Sequence, residues 1–253
     1  MGQRLLSVII FGIGIGLFWF SANQLSLDFQ RFISRLSNAG RILSLMLVLD
    51  TSDLPRVLYE MITSVSIAVS SLFMGFVVAL CLSFLAADTI APNKHLASLI
   101  RSIVALIRAV PSLVWILMVV ASMGFTNTAA TVGLIISTVG YLTKSFVASI
   151  EDLGTQSIEA LRATGAPWIT IVVKGLMPQL VAPFVSWIAI RFETSIGESI
   201  SLGMLGVAGI GLVLIQASRS YAYGKVSLII LVILATMIMV ELLVNTIRKK
   251  WST

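Results

Sequence analysis

The sequence predicts an all-α membrane protein with six spanning helices. Two observations carry the fold class. Mean hydropathy is +1.03, with 58% of the 253 residues hydrophobic and 11% charged. Soluble domains carry about a quarter charged residues. The apolar residues also fall in runs near the roughly 20 that a helix needs to cross the hydrocarbon core.

The same composition excludes other classes. Lys and Arg number 17 against 11 Asp and Glu, giving a net charge of +6. The basic residues are scattered between apolar runs, the pattern of loops held on the cytoplasmic side rather than of a nucleic-acid-binding face. Cys81 is the one cysteine and His95 the one histidine, so no disulfide framework and no metal cluster is expected. No catalytic cluster is evident either.

The first span runs Leu5 to Ala22. Its length, its bulky Phe18-Trp19-Phe20 end and the absence of a small-x-small site read as a retained span, not a cleaved signal peptide. From Asp28 to Arg56 the chain mixes Arg31, Arg35 and Arg41 with Phe32, Leu36 and Leu43, which share a helical face: an amphipathic helix lying at the interface. Asp50 to Pro55 breaks the pattern. Residues 1–60 therefore form one segment and 61–253 the main body.

Met61 to Ala87 is the second span, followed by a loop from Asp88 to Lys94 with Pro92. The third is irregular: Arg101 and Arg108 keep its first half near an aqueous face, Pro111 kinks or restarts it, and Pro111 to Gly124 is the apolar remainder. After a turn at Phe125 to Thr128 come Ala129 to Ile150 as span four, Leu180 to Ile196 as span five and Val226 to Ile247 as span six. Six crossings put both termini on one side. Arg4, Lys94, Arg162, Lys174 and the Arg248-Lys249-Lys250 tail mark that side as cytoplasmic. Arg31, Arg35, Arg41 and Arg56 vote the other way, offset by Asp28, Asp50, Asp53 and Glu60 and by the habit of interfacial arginines to snorkel.

Glu151 to Gln179 separates spans four and five. Ser157, Ala160, Leu161 and Thr164 suit one short helix ending at Gly165 or Pro167, and Pro167-Trp168 opens a second. That second helix would expose Trp168, Ile169, Ile171 and Val172 to water. Either it docks on another protein or the hairpin lies on the bilayer surface.

Here the sequence resembles the integral membrane subunits of ABC importers. Their cytoplasmic signature is Glu-Ala-Ala, three residues, Gly, nine residues, Ile-x-Leu-Pro. This chain has Glu159-Ala160-Leu161, then Gly165, Ala166 and, in register, Met177-Pro178. Leu161 replaces the second Ala, Gly175 the Ile and Met177 the Leu. Arg108 to Pro111, Arg162 to Ala166, Pro178-Gln179, Arg191-Phe-Glu193 and the Leu202 to Gly211 stretch are similar to phosphonate-type permeases in particular. Gly197 departs from that group, which often carries Arg there, and Thr194-Ser-Ile-Gly197 is close to methionine-importer permeases.

The resemblance implies the six-helix type I importer fold, methionine-permease-like, in an inner membrane. It implies a non-enzymatic subunit working as a homodimer, two copies of an ABC ATPase that hold ATP and Mg, and a periplasmic or lipid-anchored phosphonate-binding protein, with no nucleic acid. It implies that Glu159, Ala160, Arg162, Gly165, Ala166, Trp168, Ile171 and Pro178 couple to that ATPase. No G-x-x-x-x-G-K-[ST] occurs in this chain.

Charges expected inside the bilayer need a partner or a water-filled path. Arg191, in the outer half of span five, either lines the route of an anion such as a phosphonate, or pairs with Glu193, Glu198 or Glu241, or snorkels to the outer interface. Lys144 and Glu241 snorkel or pair with each other. The glycines from Gly197 to Gly211, with Glu198 and Ser199, suggest a broken or re-entrant segment: a gate or dimer seam around Gly206 and Gly209, or plain helix packing. A different class, an ion-coupled secondary transporter with Arg191, Glu193, Glu198 and Glu241 as its relay, would require matched half-repeats. Residues 1–125 and 126–253 show no convincing self-similarity.

Overall fold

The computed structural model describes residues 2–25, 29–154 and 156–251. Asp28, the expected start of the amphipathic segment, lies outside them. Every regular element among the described residues is helical. The chain divides into two units, residues 1–48 and 49–253.

The first unit holds α1 (Gly2–Gln24) and α2 (Phe29–Met46). Phe11, Phe18 and Trp19 of α1 are exposed, and no residue of its most apolar window is buried. Apolar surface of this kind is stable only against lipid or another protein. Along α2, Phe32, Ile33, Leu36 and Leu43 alternate at helical spacing with Arg31, Arg35 and Arg41, as an interfacial helix requires.

The second unit opens with α3 (Leu54–Ala86), which starts before Met61 because Pro55 suits a first helical turn. Then come α4 (Lys94–Ala109) and α5 (Ser112–Met123), bent by 88° at Val110–Pro111. Val110 is extended (φ −93°, ψ 129°), the conformation forced on a residue before proline. Pro111 has no N–H for the carbonyl of Ile107, and the indole Nε1 of Trp115 donates to that carbonyl at 2.9 Å. That bond gives the Ile107 carbonyl the partner that the proline removes.

Next is α6 (Asn127–Asp152), its first turn capped by the Thr126 hydroxyl accepting from the Ala129 N–H. After α7 (Gln156–Ala163), α8 (Trp168–Thr170) runs through a π-helical stretch (Ile171–Leu176) into α9 (Met177–Met204). The second arm of the hairpin is thus not a separate helix but the start of span five, and this apolar helix reaches Met204 instead of stopping at Ile196. The chain then breaks, forms α10 (Ile210–Arg219) and ends in α11 (Tyr223–Trp251).

Among the described residues five helices are long and apolar enough to cross a membrane, and the bent α4–α5 pair, counted as one span, makes a sixth. Within the second unit α3 packs on α6 and α9, and α9 also packs on α10 and α11. One buried cluster joins the ends of α3 and α6 to the hairpin: Phe84, Phe146, Ile150, Ile158, Ile171 and Leu180. A second joins α9, α10 and α11 through Ile196, Ile210 and Ile229.

Candidate functional site

The hairpin is held to the ends of α3, α4 and α6 by polar and apolar contacts. Arg101 binds the Asp88 carboxylate and lies 3.8 Å from Glu151 Oε1. That same oxygen accepts from the Asp88 N–H at 3.0 Å. The bond from Arg101 holds the Asp88 carboxyl below the usual carboxylate range. Arg162 Nη2 donates to the Thr89 carbonyl at 3.3 Å, and Trp168 Nε1 to the Ile90 carbonyl at 2.8 Å. Gly165 ends α7 at φ +74°, a left-handed turn that glycine adopts without a Cβ penalty.

These anchors change the reading of the apolar residues. Ile171 and Val172 are 5% and 7% exposed, packed into the chain's own core, so neither belongs to an exposed knob. The side of this segment facing the ends of α3 and α6 takes Trp168, Ile171, Val172 and Leu176. Ile169 (68% exposed) and Val173 (56%) carry the outward apolar surface. Glu159, Ala160 and Pro178 are exposed, and Ala166 and Trp168 half-buried. The i, i+4 spacing of Ile169 and Val173 was the available signal.

Among the described residues, one ion pair forms between the charges expected inside the bilayer. Arg191 is buried and salt-bridged to Glu198 at 2.8 Å, one residue pair two turns apart on α9. Its Nε donates to Thr138 Oγ1 (3.1 Å) and its Nη2 to Ser137 Oγ (2.8 Å) on α6, and its guanidinium carbon stands 5.7 Å from the Tyr141 ring. Glu193 is half-buried and outside this network. Lys144 and Glu241 are exposed and do not pair with each other among the described residues. Ser137, Thr138 and Tyr141 were not anticipated; spaced at i, i+1 and i+4 in span four, they read as ordinary membrane-helix residues.

The glycine-rich stretch breaks after Met204, not at Gly197, which is helical. Gly206 (φ +95°) and Gly209 (φ +100°) adopt conformations that side chains disfavour. The first turn of α10 docks on α3: the Gly209 N–H donates to Glu60 Oε2 (3.2 Å) and the Ile210 N–H to Ser64 Oγ (3.0 Å). A carboxylate at a helix N-terminus is favoured by the dipole as well as by the bond. Ser199 is buried and donates to the Ile196 carbonyl at 2.8 Å.

The binding-protein-dependent transport system inner membrane component family matches residues 79–253. The chain belongs to that family. Among its relatives, the phosphite transport system permease protein PtxC of Stutzerimonas stutzeri is 27% identical over 241 residues, covering 95% of this chain and 86% of that protein. The phosphate-import permease protein PhnE of Mycolicibacterium smegmatis is 27% identical over 187 residues, 74% of this chain and 35% of that protein. An inward-facing structure of the MetNI methionine ABC transporter superposes with a TM-score of 0.66 at 25% identity, covering 78% of this chain and 95% of that one. The binding-protein-dependent permease is therefore a multi-pass membrane protein with the methionine-permease-like helical fold.

Proposed function

We propose that this permease forms, as a homodimer, the translocation path of an ATP-driven importer for phosphonate or a related phosphorus oxyanion such as phosphite. Two copies of a separate ATPase, which bind ATP and Mg, drive it, and a binding protein outside the membrane delivers the cargo. Both termini lie in the cytoplasm, on the side of Arg248, Lys249 and Lys250 at the end of α11.

The observation that carries this reading is the hairpin. An ordered helix pair, whose Arg162 and Trp168 bond the Thr89 and Ile90 carbonyls of the α3–α4 loop that Asp88, Arg101 and Glu151 tie to α4 and α6, presents Ile169 and Val173 outward. A rigid apolar projection of this kind is what a motor subunit can push on. Closure of the two ATPases brings the hairpins together, and α9, continuous with the hairpin's second arm, transmits the movement to Arg191, Glu198 and the Gly206–Gly209 break. Arg191 and Glu198 border the path, and the break forms its gate.

The relatives with phosphite and phosphate in their names support an oxyanion cargo. The test is purification from membranes followed by reconstitution. The permease is expected to co-purify with an ATPase at a one-to-one ratio and to take up phosphite or methylphosphonate only with ATP and the binding protein. Uptake of methionine instead would reassign the cargo. Uptake that survives ATP depletion and collapses with the proton gradient would overturn the reading.

A further inference from the structure

A cavity of about 440 Å³ opens between the ends of α3, α4 and α6, apart from the Arg191 network. Its polar lining is Arg101, Arg108, Thr143, Lys144 and Glu151. The charges are not evenly matched. Arg101 is engaged by Asp88 and Glu151. Arg108 and Lys144 each lie seven residues from that cluster along α4 and α6, about 10 Å at 1.5 Å per residue. Among the described residues neither pairs with a carboxylate.

Both cations line the one cavity. A β-carbon on Gly140 would come within 3.4 Å of Arg108 Cγ, so the Arg108 stem lies against α6 one turn from Lys144. Thr143, next to Lys144 in the chain, lines the same cavity. It is 1% exposed, and its hydroxyl has no hydrogen-bond partner. The hydroxyls of Thr131, Ser137, Ser145 and Ser149 on the same helix all bond to a carbonyl three or four residues back. Thr143, a lining residue of the cavity, alone among these has its hydroxyl buried without a partner. A buried unsatisfied hydroxyl is unfavourable and calls for a partner.

We propose that this cavity binds a phosphate group, with Arg108 and Lys144 supplying the charge and Thr143 a hydrogen bond. A guanidinium, an ammonium and a hydroxyl donor suit a tetrahedral oxyanion, the guanidinium by its planar fork of donors. The phosphate can belong to an anionic lipid headgroup, since the cavity lies between membrane helices at an end where charged loops begin. Alternatively it is free phosphate from the aqueous phase. The site does not depend on the cargo assigned above.

The full chain in nanodiscs tests this with two probes. In the lipid arm, native mass spectrometry compares retained phosphatidylglycerol with phosphatidylcholine. In the solute arm, labelled inorganic phosphate is titrated into phosphatidylcholine nanodiscs. A lipid site gives selective retention of phosphatidylglycerol, and a solute site gives saturable phosphate binding. In either case R108Q/K144Q is expected to lower the signal at least tenfold and T143V several-fold. The charge-preserving R108K/K144R should retain most of it, with an unchanged size-exclusion profile showing that each variant is folded. Wild type that neither selects phosphatidylglycerol nor binds phosphate overturns the site. So does R108Q/K144Q binding as wild type does.

Discussion

Leu161 and Gly175 fill a single space in the hairpin: a β-carbon on Gly175 would stand 2.3 Å from Leu161 Cδ1. These are two of the positions where the chain departs from the importer signature, which has Ala and Ile there. The larger side chain is on the first arm of the hairpin here and on the second in that signature. Close-packed interiors tolerate such exchanges when total volume is kept.

The first prediction follows from that exchange. G175I forces a branched side chain against Leu161 and is expected to cost about 1–3 kcal/mol. L161A is expected to cost less than the roughly 2–5 kcal/mol of a fully buried leucine, because Leu161 is half-buried. The double variant L161A/G175I should be more stable than the sum of the two by about 1 kcal/mol. Thermal unfolding of the detergent-solubilised chain measures all three. Strict additivity would show that the two side chains do not share the space.

Two faces of one helix should behave oppositely. I169D places a charge on an outward residue, so unfolding should stay within about 0.5 kcal/mol of wild type. ATPase co-purification and ATP-driven uptake should be lost. V172D buries a carboxylate in the cluster with Phe146 and Ile150. It should prevent stable folding, because an unpaired buried charge costs several kcal/mol. Retention of the ATPase by I169D would remove the docking role of this surface.

Much of this organisation is legible in the sequence because the bilayer imposes long apolar runs, and proline and glycine punctuate them. Pro111, Gly165 and Pro167 all mark real breaks or turns. What the sequence does not show is rotation of a helix about its own axis. Trp168, Ile169, Ile171 and Val172 form one apolar string, and only packing against Ile90, Phe146 and Ile158 decides which of them are core. The Arg191 partner was ambiguous for a related reason. Glu193 is nearer in sequence, but Glu198, two turns on, shares its face. Glu60 and Ser64 were missed because their partners lie on α10, far along the chain.

The Arg191–Glu198 pair separates a structural from a transport role. R191Q leaves Glu198 with a half-buried unpaired carboxylate, and E198Q strands a buried guanidinium. Each is expected to cost about 3 kcal/mol, the low end for a buried pair, since Glu198 retains 26% side-chain exposure. R191K should also lose stability, because an ammonium cannot hold Ser137, Thr138 and Glu198 at once. R191M/E198M removes both charges and should recover most of the stability. If uptake returns with it, the pair is structural. If folding returns while uptake stays absent, the pair borders the path.

Acid should loosen the hairpin's anchor in a defined window. Asp88 has its pKa lowered in the folded protein, chiefly by the bond from Arg101. A depressed carboxylate contributes stability that is present above the unfolded value, near 3.9, and is lost as pH falls through the folded value. D88N should therefore flatten the pH dependence of unfolding below about pH 4 and leave its shape near neutrality unchanged. Acid titrations of wild type and D88N followed by tryptophan fluorescence would compare the two, and superimposable acid limbs would remove the anchor.

Two glycines in one stretch should respond with opposite sign to the same substitution. Gly197 is helical, and a β-carbon there meets nothing within 4 Å. G197A should raise stability by about 0.5–1 kcal/mol through lower backbone entropy in the unfolded chain. Gly209 sits at φ +100°, and a β-carbon would come 2.3 Å from Ser64 Oγ. G209A therefore pays about 1–3 kcal/mol of backbone strain. It also displaces the Ser64 hydroxyl from the Ile210 N–H, for about 1 kcal/mol more. S64A relieves the collision but not the strain, so S64A/G209A should remain less stable than wild type. Equal unfolding temperatures for G197A and G209A would mean that the seam between α3 and α10 is not held as the Gly209–Ser64 contact requires.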